Sequence, residues 1–165
     1  MADKKTSTTF GDFHLAQSLS QVWLHIIFST KDREPLLPDK TVREKVHAYL
    51  AGICNRMESP ALIVGGIEDH VHLLCSQSRN IALKNLVQNV KQDSSKWIKR
   101  QWPGLNEFYW QQGYGAFSVS PTRVKAVRNY IATQEEHHRK VGFQDEFRLF
   151  LERYRVSFDE RYIWD

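Results

Sequence analysis

Cysteine is scarce in this sequence, and its two cysteines, Cys54 and Cys75, stand alone without the close spacing of metal ligands. A disulfide scaffold and a cysteine metal site are therefore excluded, and a reducing compartment is indicated. Long apolar runs are also missing. The longest clean one, Val22 to Phe28, is far short of the roughly 20 residues that cross a bilayer. These features predict a soluble cytoplasmic protein that does not enter a membrane.

Glycine and proline are few, at eight and five residues, and 25% of the chain is charged. This composition excludes a collagen-like repeat and a mainly disordered chain. The length of 165 residues suits one domain that folds without a metal or a disulfide. Residues 1–18 are polar and aperiodic, with no apolar segment typical of a signal peptide. We expect them to be a flexible N-terminal extension, and residues 19–165 to form a single domain.

The excess of positive charge is small over the whole chain, with 23 basic and 19 acidic residues, but the charges are unevenly placed. Residues 79–100 contain six lysines and arginines against one acid, whereas residues 141–165 contain four arginines against six acids. The basic segment predicts contact with a polyanion such as nucleic acid, and the alternative is a solvated helix face.

The spacing of apolar residues predicts an alternation of strands and helices. Strands are expected over residues 22–29, 61–64 and 70–75, with short candidates at 108–110 and 116–119. Helices are expected from Thr41 to before Pro60, and over residues 80–101, 121–140 and 144–155. This β-α-β-β-α-β order, followed by two helices, is typical of an α+β, ferredoxin-like fold (a split βαβ unit). Such a fold has an antiparallel sheet with two helices on one face.

Local signals set several of these boundaries. Thr41-x-x-Glu44 has the pattern of a capping box, and Ser120-Pro121 that of an N-cap followed by a first helical residue. Gly65-Gly66 is interpreted as a break after the second strand.

Two histidines stand two residues apart on the third predicted strand. Side chains at i and i+2 share one face, so His70 and His72 project together while Val71 and Leu73 face the other way. If Val71 and Leu73 pack under the helices, the histidines lie on the open face of the sheet. Paired imidazoles can bind a divalent metal and leave positions free for other ligands. The alternative is a pair of ordinary half-exposed histidines. A histidine-triad hydrolase is disfavoured because position 74 is leucine.

A polar stripe runs along the helix predicted after Pro121. Tyr130, Gln134 and His138 are spaced i, i+4, i+8 and so share one side of a continuous helix. A tyrosine there is usually a packing residue. With a pKa of about 10 its hydroxyl is a weak nucleophile, which becomes effective towards phosphate when a metal neutralises the developing charge.

Together these motifs resemble those of a known family. Residues 69–74 (DHVHLL), followed by Tyr130-Ile131-x-x-Gln134, resemble the HUH-type single-tyrosine transposases of the smallest insertion sequences, the IS-two-hundred class. Residues 28–31, 110–118 and 134–139 also look like the domesticated, repeat-associated branch of that family. The resemblance covers roughly residues 20–165.

The resemblance implies an activity and a ligand set. His70, His72 and Gln134 would bind Mg²⁺ or Mn²⁺, and Tyr130, carried by the C-terminal helices, would attack a DNA phosphodiester. The attack would give a 5′-phosphotyrosine and a free 3′-hydroxyl, whose reverse attack rejoins strands. The substrate implied is single-stranded DNA that folds into hairpins. Mobile members pair as homodimers in which one subunit's tyrosine helix serves the other's histidines, with residues 113–115 as a possible hinge here. Other members act as monomers.

Other residues compete for these roles. Tyr114, in a glycine-flanked loop, is an alternative nucleophile, and His137 or His138 is an alternative to Gln134 at the metal. Asp69 and His138 are expected to orient the ligands, although Asp69 is equally well interpreted as an exposed turn carboxylate.

Cations and aromatic rings supply the expected DNA contacts, with surface solubility as the alternative for each cation. Trp110 and Tyr114 are candidates for base stacking, and core packing is favoured for Trp110. The expected cationic contacts are Lys31, Arg79, Lys84, Lys91, Lys99, Arg123, Lys125 and Arg128.

Two other functions remain open. A non-catalytic ferredoxin-like nucleic-acid-binding module would carry aromatic ladders on its central strands, where this chain has His70 and His72. A replication initiator or relaxase shares the two histidines and a tyrosine but is typically larger.

Overall fold

The computed structural model describes residues 19–138, 142–161 and 163–164; the expected N-terminal extension, residues 1–18, lies outside them. Three single turns of 3-10 helix lie at Lys31–Arg33, Pro103–Leu105 and Pro121–Arg123. The strands are β1 (Trp23–Ser29), β2 (Ala61–Gly66), β3 (His70–Ser76) and β4 (Gly115–Val119). The helices are α1 (Lys40–Arg56), α2 (Leu83–Gln101), α3 (Val124–Ala132), α4 (Gln134–His137) and α5 (Phe143–Arg153).

The four strands form one antiparallel sheet in the order β2-β3-β1-β4. This order, with α1 joining β1 to β2 and α2 joining β3 to β4, confirms the predicted ferredoxin-like α+β fold. The expected strand over residues 108–110 is reduced to a single bridge between Thr30 and Trp110.

One face of the sheet carries α1 and α2. Val71 and Leu73 of β3 lie in the same buried cluster as Val46 and Leu50 of α1 and Leu86 of α2. The period-two pattern of β3 therefore directs these apolar side chains under the helices, as predicted. No described helix is long and apolar enough to cross a membrane.

The start of α1 and the end of β2 differ from prediction. Asp39 is the N-cap of α1, and its Oδ1 accepts a hydrogen bond from the Val42 amide at 2.9 Å, so the capping box at Thr41 and Glu44 is wrong. The break predicted at Gly65-Gly66 is also wrong, because both glycines continue β2 and pair with His72 and Val71 of β3. Gly66 ends the strand with φ +144°, a conformation that favours glycine.

The second face of the sheet is covered, contrary to the prediction of an open face. Helix α5 packs Phe143, Phe147 and Leu151 against Ile27 and Phe117 of the sheet. Helix α3 packs Ile131 against Leu74 and Val119 of the sheet, and these three residues form a separate buried cluster. Both α3 and α5 bury their apolar sides against the second face of the sheet. Because His70 and His72 project from that face, they lie inside the protein.

The helix predicted over residues 121–140 is interrupted. The turn Pro121–Arg123 precedes α3, and Thr133 breaks the helix with φ −107° and ψ 21° before the short α4. The Thr133 hydroxyl donates to the Asn129 carbonyl at 3.1 Å, one turn back, which holds its side chain against α3. Ser120 forms no side-chain cap, because its Oγ pairs with Thr122 Oγ1 at 2.9 Å.

Candidate metal and nucleophile site

His70 and His72 are fully buried, and one ring nitrogen of each already has a partner. His70 Nδ1 lies 2.6 Å from Asp69 Oδ1, and His72 Nδ1 lies 3.0 Å from Nε2 of His25 on β1. Asp69 therefore contacts a candidate ligand, and its orienting role stays a prediction. In both rings Nε2 is left for a ligand, and neither Nε2 forms a hydrogen bond with any described residue. This is how metal-binding histidines are usually held, with one nitrogen fixed and the other presented.

Ring nitrogens of His70 and His72 lie close to the carboxylate of Glu146 on α5. One potential ligand atom from each of His70, His72, His138 and Glu146 lies within 4.8 Å of the others. Glu146 Oε2 is 3.4 Å from His72 Nε2 and 3.2 Å from His138 Nε2, and Oε1 is 3.3 Å from His137 Nε2. Three imidazoles and one carboxylate form a group that could hold a divalent metal ion.

Burial raises the pKa of Glu146 to about 8. Burial, reinforced by the neighbouring histidines, lowers the pKa of His72 well below its usual value, and burial lowers that of His25 to about 3. Neutral imidazoles carry the free lone pair that metal binding requires.

Gln134, the predicted third ligand, reaches the edge of the same cluster. It is 2% exposed, and its Nε2 lies 3.5 Å from Glu146 Oε1. Its Oε1 is buried without a hydrogen-bond partner among the described residues. Because Thr133 breaks the helix, Tyr130, Gln134 and His138 do not form the predicted stripe along one continuous helix. Gln134 and His138 nevertheless both lie next to Glu146.

Tyr130 lies beside the histidines. Its ring centroid is 5.8 Å from that of His72, 6.3 Å from that of His25 and 5.2 Å from that of His137. Its hydroxyl is buried and has no hydrogen-bond partner in the described part of the chain. Tyr114, the alternative nucleophile, is 37% exposed and has Lys91 Nζ 5.5 Å above its ring.

Sequence reasoning missed two residues of this site. His25 shares one face of β1 with Ile27, and Ile27 pairs with His72 of β3, which brings His25 next to His72. Glu146 was missed because an acid in a late helix suggests a solvated face. The usable signal was its position within the apolar stripe Phe143, Phe147 and Leu151, where a charged residue needs a partner.

The predicted DNA-contacting cations fall into two groups. Lys91 Nζ donates to the carbonyls of Gln111, Gln112 and Gly113 at 2.9, 3.1 and 2.6 Å, and burial lowers its pKa to about 8. Lys99 Nζ stands 3.2 Å over the ring of Tyr109. The remaining six have exposed side chains: Lys31, Arg79, Lys84, Arg123, Lys125 and Arg128. Trp110 is 8% exposed and packs edge-on against two phenylalanines of the core, as favoured.

A comparison with known protein families identifies the family of this chain. The family model described as "Transposase IS200 like" matches residues 18–134, which include β1 to α3 and the residues His70, His72 and Tyr130. The chain belongs to the IS200-like transposase family. The resemblance read from the two motifs is thereby confirmed, and this transposase is a DNA-processing enzyme.

A solved structure of another transposase shares the fold of this IS200-like transposase. A putative transposase from Deinococcus radiodurans R1 aligns with a TM-score of 0.56 at 21% identity, over 72% of this chain and 95% of that chain. A REP-associated tyrosine transposase bound to a REP hairpin aligns with a TM-score of 0.48 at 12% identity, over 78% of this chain and 76% of that one. No protein of curated function matches the chain significantly.

Proposed function

We propose that this transposase nicks single-stranded DNA and transfers strands through a covalent link to Tyr130, with a divalent metal at the histidine cluster. The observation that carries the proposal is the adjacency of Tyr130 and His72. The Tyr130 ring packs edge-on to His72, whose Nε2 forms no hydrogen bond with the described residues and lies 3.4 Å from Glu146 Oε2 in the cluster. A nucleophile and a phosphate-binding metal must act on the same phosphorus atom, so they have to lie side by side.

The side chains present fit a metal ion. Buried polar atoms without partners are costly, and several converge here, including Nε2 of His70, Nε2 of His72 and Oε1 of Gln134. These three would bind the ion, with His138 and Glu146 near enough to replace or supplement Gln134. A bound ion would clamp the scissile phosphate and neutralise its developing charge. Mg²⁺ or Mn²⁺ is proposed, and the imidazoles favour Mn²⁺ because Mg²⁺ prefers oxygen ligands.

Tyr130 supplies the covalent chemistry. Its Oη would attack the phosphorus atom, forming the O–P bond of a 5′-phosphotyrosine while the bond to the 3′-oxygen breaks. The phenolic proton leaves Oη, and a proton is taken up by the departing 3′-oxygen to give a hydroxyl. Attack by a 3′-hydroxyl on the phosphotyrosine reverses these steps and joins the strands, so no external energy source is needed.

The DNA would lie along exposed cations. Arg123 precedes α3, Lys125 lies in its first turn and Arg128 in its second; all three are close in sequence to Tyr130 and have exposed side chains. We propose single-stranded DNA with hairpins as the substrate. The Tyr130 ring packs against His72 of its own chain, which favours a site completed within one subunit. A homodimer with exchanged tyrosine helices remains a prediction.

A covalent-adduct assay tests the proposal. The full chain is mixed with labelled hairpin oligonucleotides that carry single-stranded flanks, with Mn²⁺ or Mg²⁺, and then denatured and separated on a gel. We expect an adduct in the wild type and in Tyr114→Phe, and none in Tyr130→Phe or His70→Ala. An adduct that survives Tyr130→Phe would contradict the assignment of the nucleophile. Hairpin binding without any adduct, and without metal binding, would instead support a non-catalytic binding module.

A further inference from the structure

A cavity of about 550 Å³ lies between α3, α5 and the end of β4. Its walls are mainly apolar, with Val127 from α3 and Leu149 and Phe150 from α5. Tyr130, His137 and Glu146, which lie at the candidate metal site, line the same cavity. The volume lies in the range of small-molecule sites, roughly 300–1,000 Å³.

Two arginines line the same cavity from different elements. Arg123 belongs to the turn before α3, and Arg153 is the last residue of α5. Both side chains are exposed, and no ion pair joins either one to the described residues. Arg153 lies two helical turns beyond Glu146, which is about 10 Å of helix rise. The cavity therefore has cations at one end and the nucleophile at the other, with an apolar chamber between them.

This arrangement complements one nucleotide unit of a DNA strand. A phosphate at Tyr130 is covalently joined to a nucleoside, and that nucleoside is joined to the next phosphate. Guanidinium groups bind phosphate oxygens, and apolar and aromatic walls take up an unstacked base. An apolar ligand without phosphate would leave the arginines without a role, and a phosphate alone would leave the apolar walls exposed.

We infer that this cavity binds a nucleoside directly attached to the scissile phosphate, with its base against Val127, Leu149 and Phe150 and its outer phosphate on Arg123 and Arg153. The inference rests on the proposed function, since the scissile phosphate is the one attacked by Tyr130. It goes further because it gives the enzyme a subsite for the one base next to the scissile phosphate, in addition to any site that binds a hairpin. That subsite would contribute to the choice of cleavage position.

The test uses thymidine 3′,5′-bisphosphate, which is a nucleoside flanked by two phosphates. It is titrated into the isotope-labelled full chain in the presence of EDTA, and binding is followed by NMR. We expect saturable shifts of the Val127 and Leu149 methyl signals, which inorganic phosphate does not reproduce. Leu149→Trp fills the cavity and should weaken binding at least tenfold, whereas Leu62→Trp, at another exposed leucine on β2, should bind like the wild type. Arg123→Gln and Arg153→Gln should each weaken binding, and Arg100→Gln on α2 should not.

The outcomes separate this inference from the proposed function. If the bisphosphate shifts signals elsewhere, or if Leu149→Trp binds as well as the wild type, the cavity is not the nucleoside site, even when adducts form normally. A dimer that dissociates on Leu149→Trp would show that a second copy of the chain occupies the cavity, and would also overturn the inference. If the bisphosphate binds in the cavity but no oligonucleotide forms an adduct, the covalent chemistry fails while the binding site stands. Dispersed NMR spectra of each variant verify that it is folded.

Discussion

His25 Nε2 lies 3.0 Å from His72 Nδ1, and both rings are buried. Burial lowers the pKa of His25 to about 3, so His25 is neutral at physiological pH and can accept a proton at Nε2. The tautomer in which His72 Nδ1 donates and His25 Nε2 accepts leaves the Nε2 lone pair of His72 directed at the cluster. A side chain of β1 is therefore in direct contact with the ring nitrogen that determines the tautomer of His72 on β3.

Replacing His25 should weaken metal binding through His72. We expect His25→Leu to lower Mn²⁺ affinity by about 10–100-fold, the usual effect of removing a partner that orients a ligand. His25→Gln should recover much of the loss, because its amide oxygen can occupy the place of Nε2 and accept the same proton. Titration of Mn²⁺ followed by electron paramagnetic resonance measures both variants. Equal weakening in the two would indicate general disruption of the sheet rather than an orienting contact.

Glu146 should contribute directly to the metal site. Its carboxylate is the acid of the cluster, with imidazole nitrogens of His72 and His138 within 3.4 Å. We expect Glu146→Gln, which keeps the shape but cannot lose a proton to form a carboxylate ligand, to lower Mn²⁺ affinity at least about tenfold. Glu152→Gln, at an exposed position on the same helix, is the matched control and should bind as the wild type. Unchanged affinity in Glu146→Gln, measured by calorimetry, would remove Glu146 from the ligand set.

His47 should make the protein less stable in mild acid. Burial, followed by the charge of Arg43 and then of His70, lowers the pKa of His47 to about 4, against a partial opposite effect of Glu135. Between pH 6.5 and 4 the unfolded chain binds a proton that the folded chain does not, so stability falls as the pH falls. The loss at pH 5 is at most about 2 kcal/mol.

The comparison that isolates His47 is His47→Leu. Urea unfolding at pH 7.5 and at pH 5 should show a smaller drop in stability for this variant than for the wild type. Identical drops in the two proteins would mean that other groups carry the acid sensitivity.

Gly65 should be needed for the position of the tyrosine helix. A Cβ at Gly65 would lie 2.6 Å from the Ile131 carbonyl oxygen and 2.8 Å from Ile131 Cγ2, so α3 would have to move away from the sheet. We expect Gly65→Ala to cost about 1–3 kcal/mol and to reduce adduct formation by Tyr130. Gly52→Ala, inside α1 with its nearest neighbour at 3.8 Å, should stabilise by about 0.5–1 kcal/mol and leave the adduct unchanged. Thermal unfolding and the gel assay report the two effects separately.

Much of the fold could be predicted because its signals are local. The alternation along β3 was enough to place His70 and His72 on one face of the strand and Val71 and Leu73 on the other. The prediction of a capping box at Thr41 and Glu44 was wrong because Asp39, two residues before Thr41, is also a good N-cap residue. The sequence alone does not show which of the two residues caps the helix. The break at Thr133 was missed since the residues around it, from Val124 to His138, keep helical spacing.

The site was predicted in part for a similar reason. His70, His72, Tyr130 and Gln134 belong to motifs with recognisable spacing, and the structure brings all four to one cluster. His25 and Glu146 are joined to it by tertiary packing, across 47 and 74 residues of chain from His72, which single-sequence patterns do not encode. The prediction that one sheet face is open was wrong because it did not say which surface buries the apolar side of α5. That surface is the second face of the sheet.

The complete burial of His70 and His72 also sets a time scale. His70 and His72 have 0% exposure, and α5, held by Phe143, Phe147 and Leu151, covers them. We therefore expect release of a bound ion to require local motion of α5. When that motion is slower than chelation, the rate at which a chelator removes the ion becomes independent of chelator concentration. Loosening that cover, as in Phe147→Ala, would shorten the residence time of the metal without touching a single ligand.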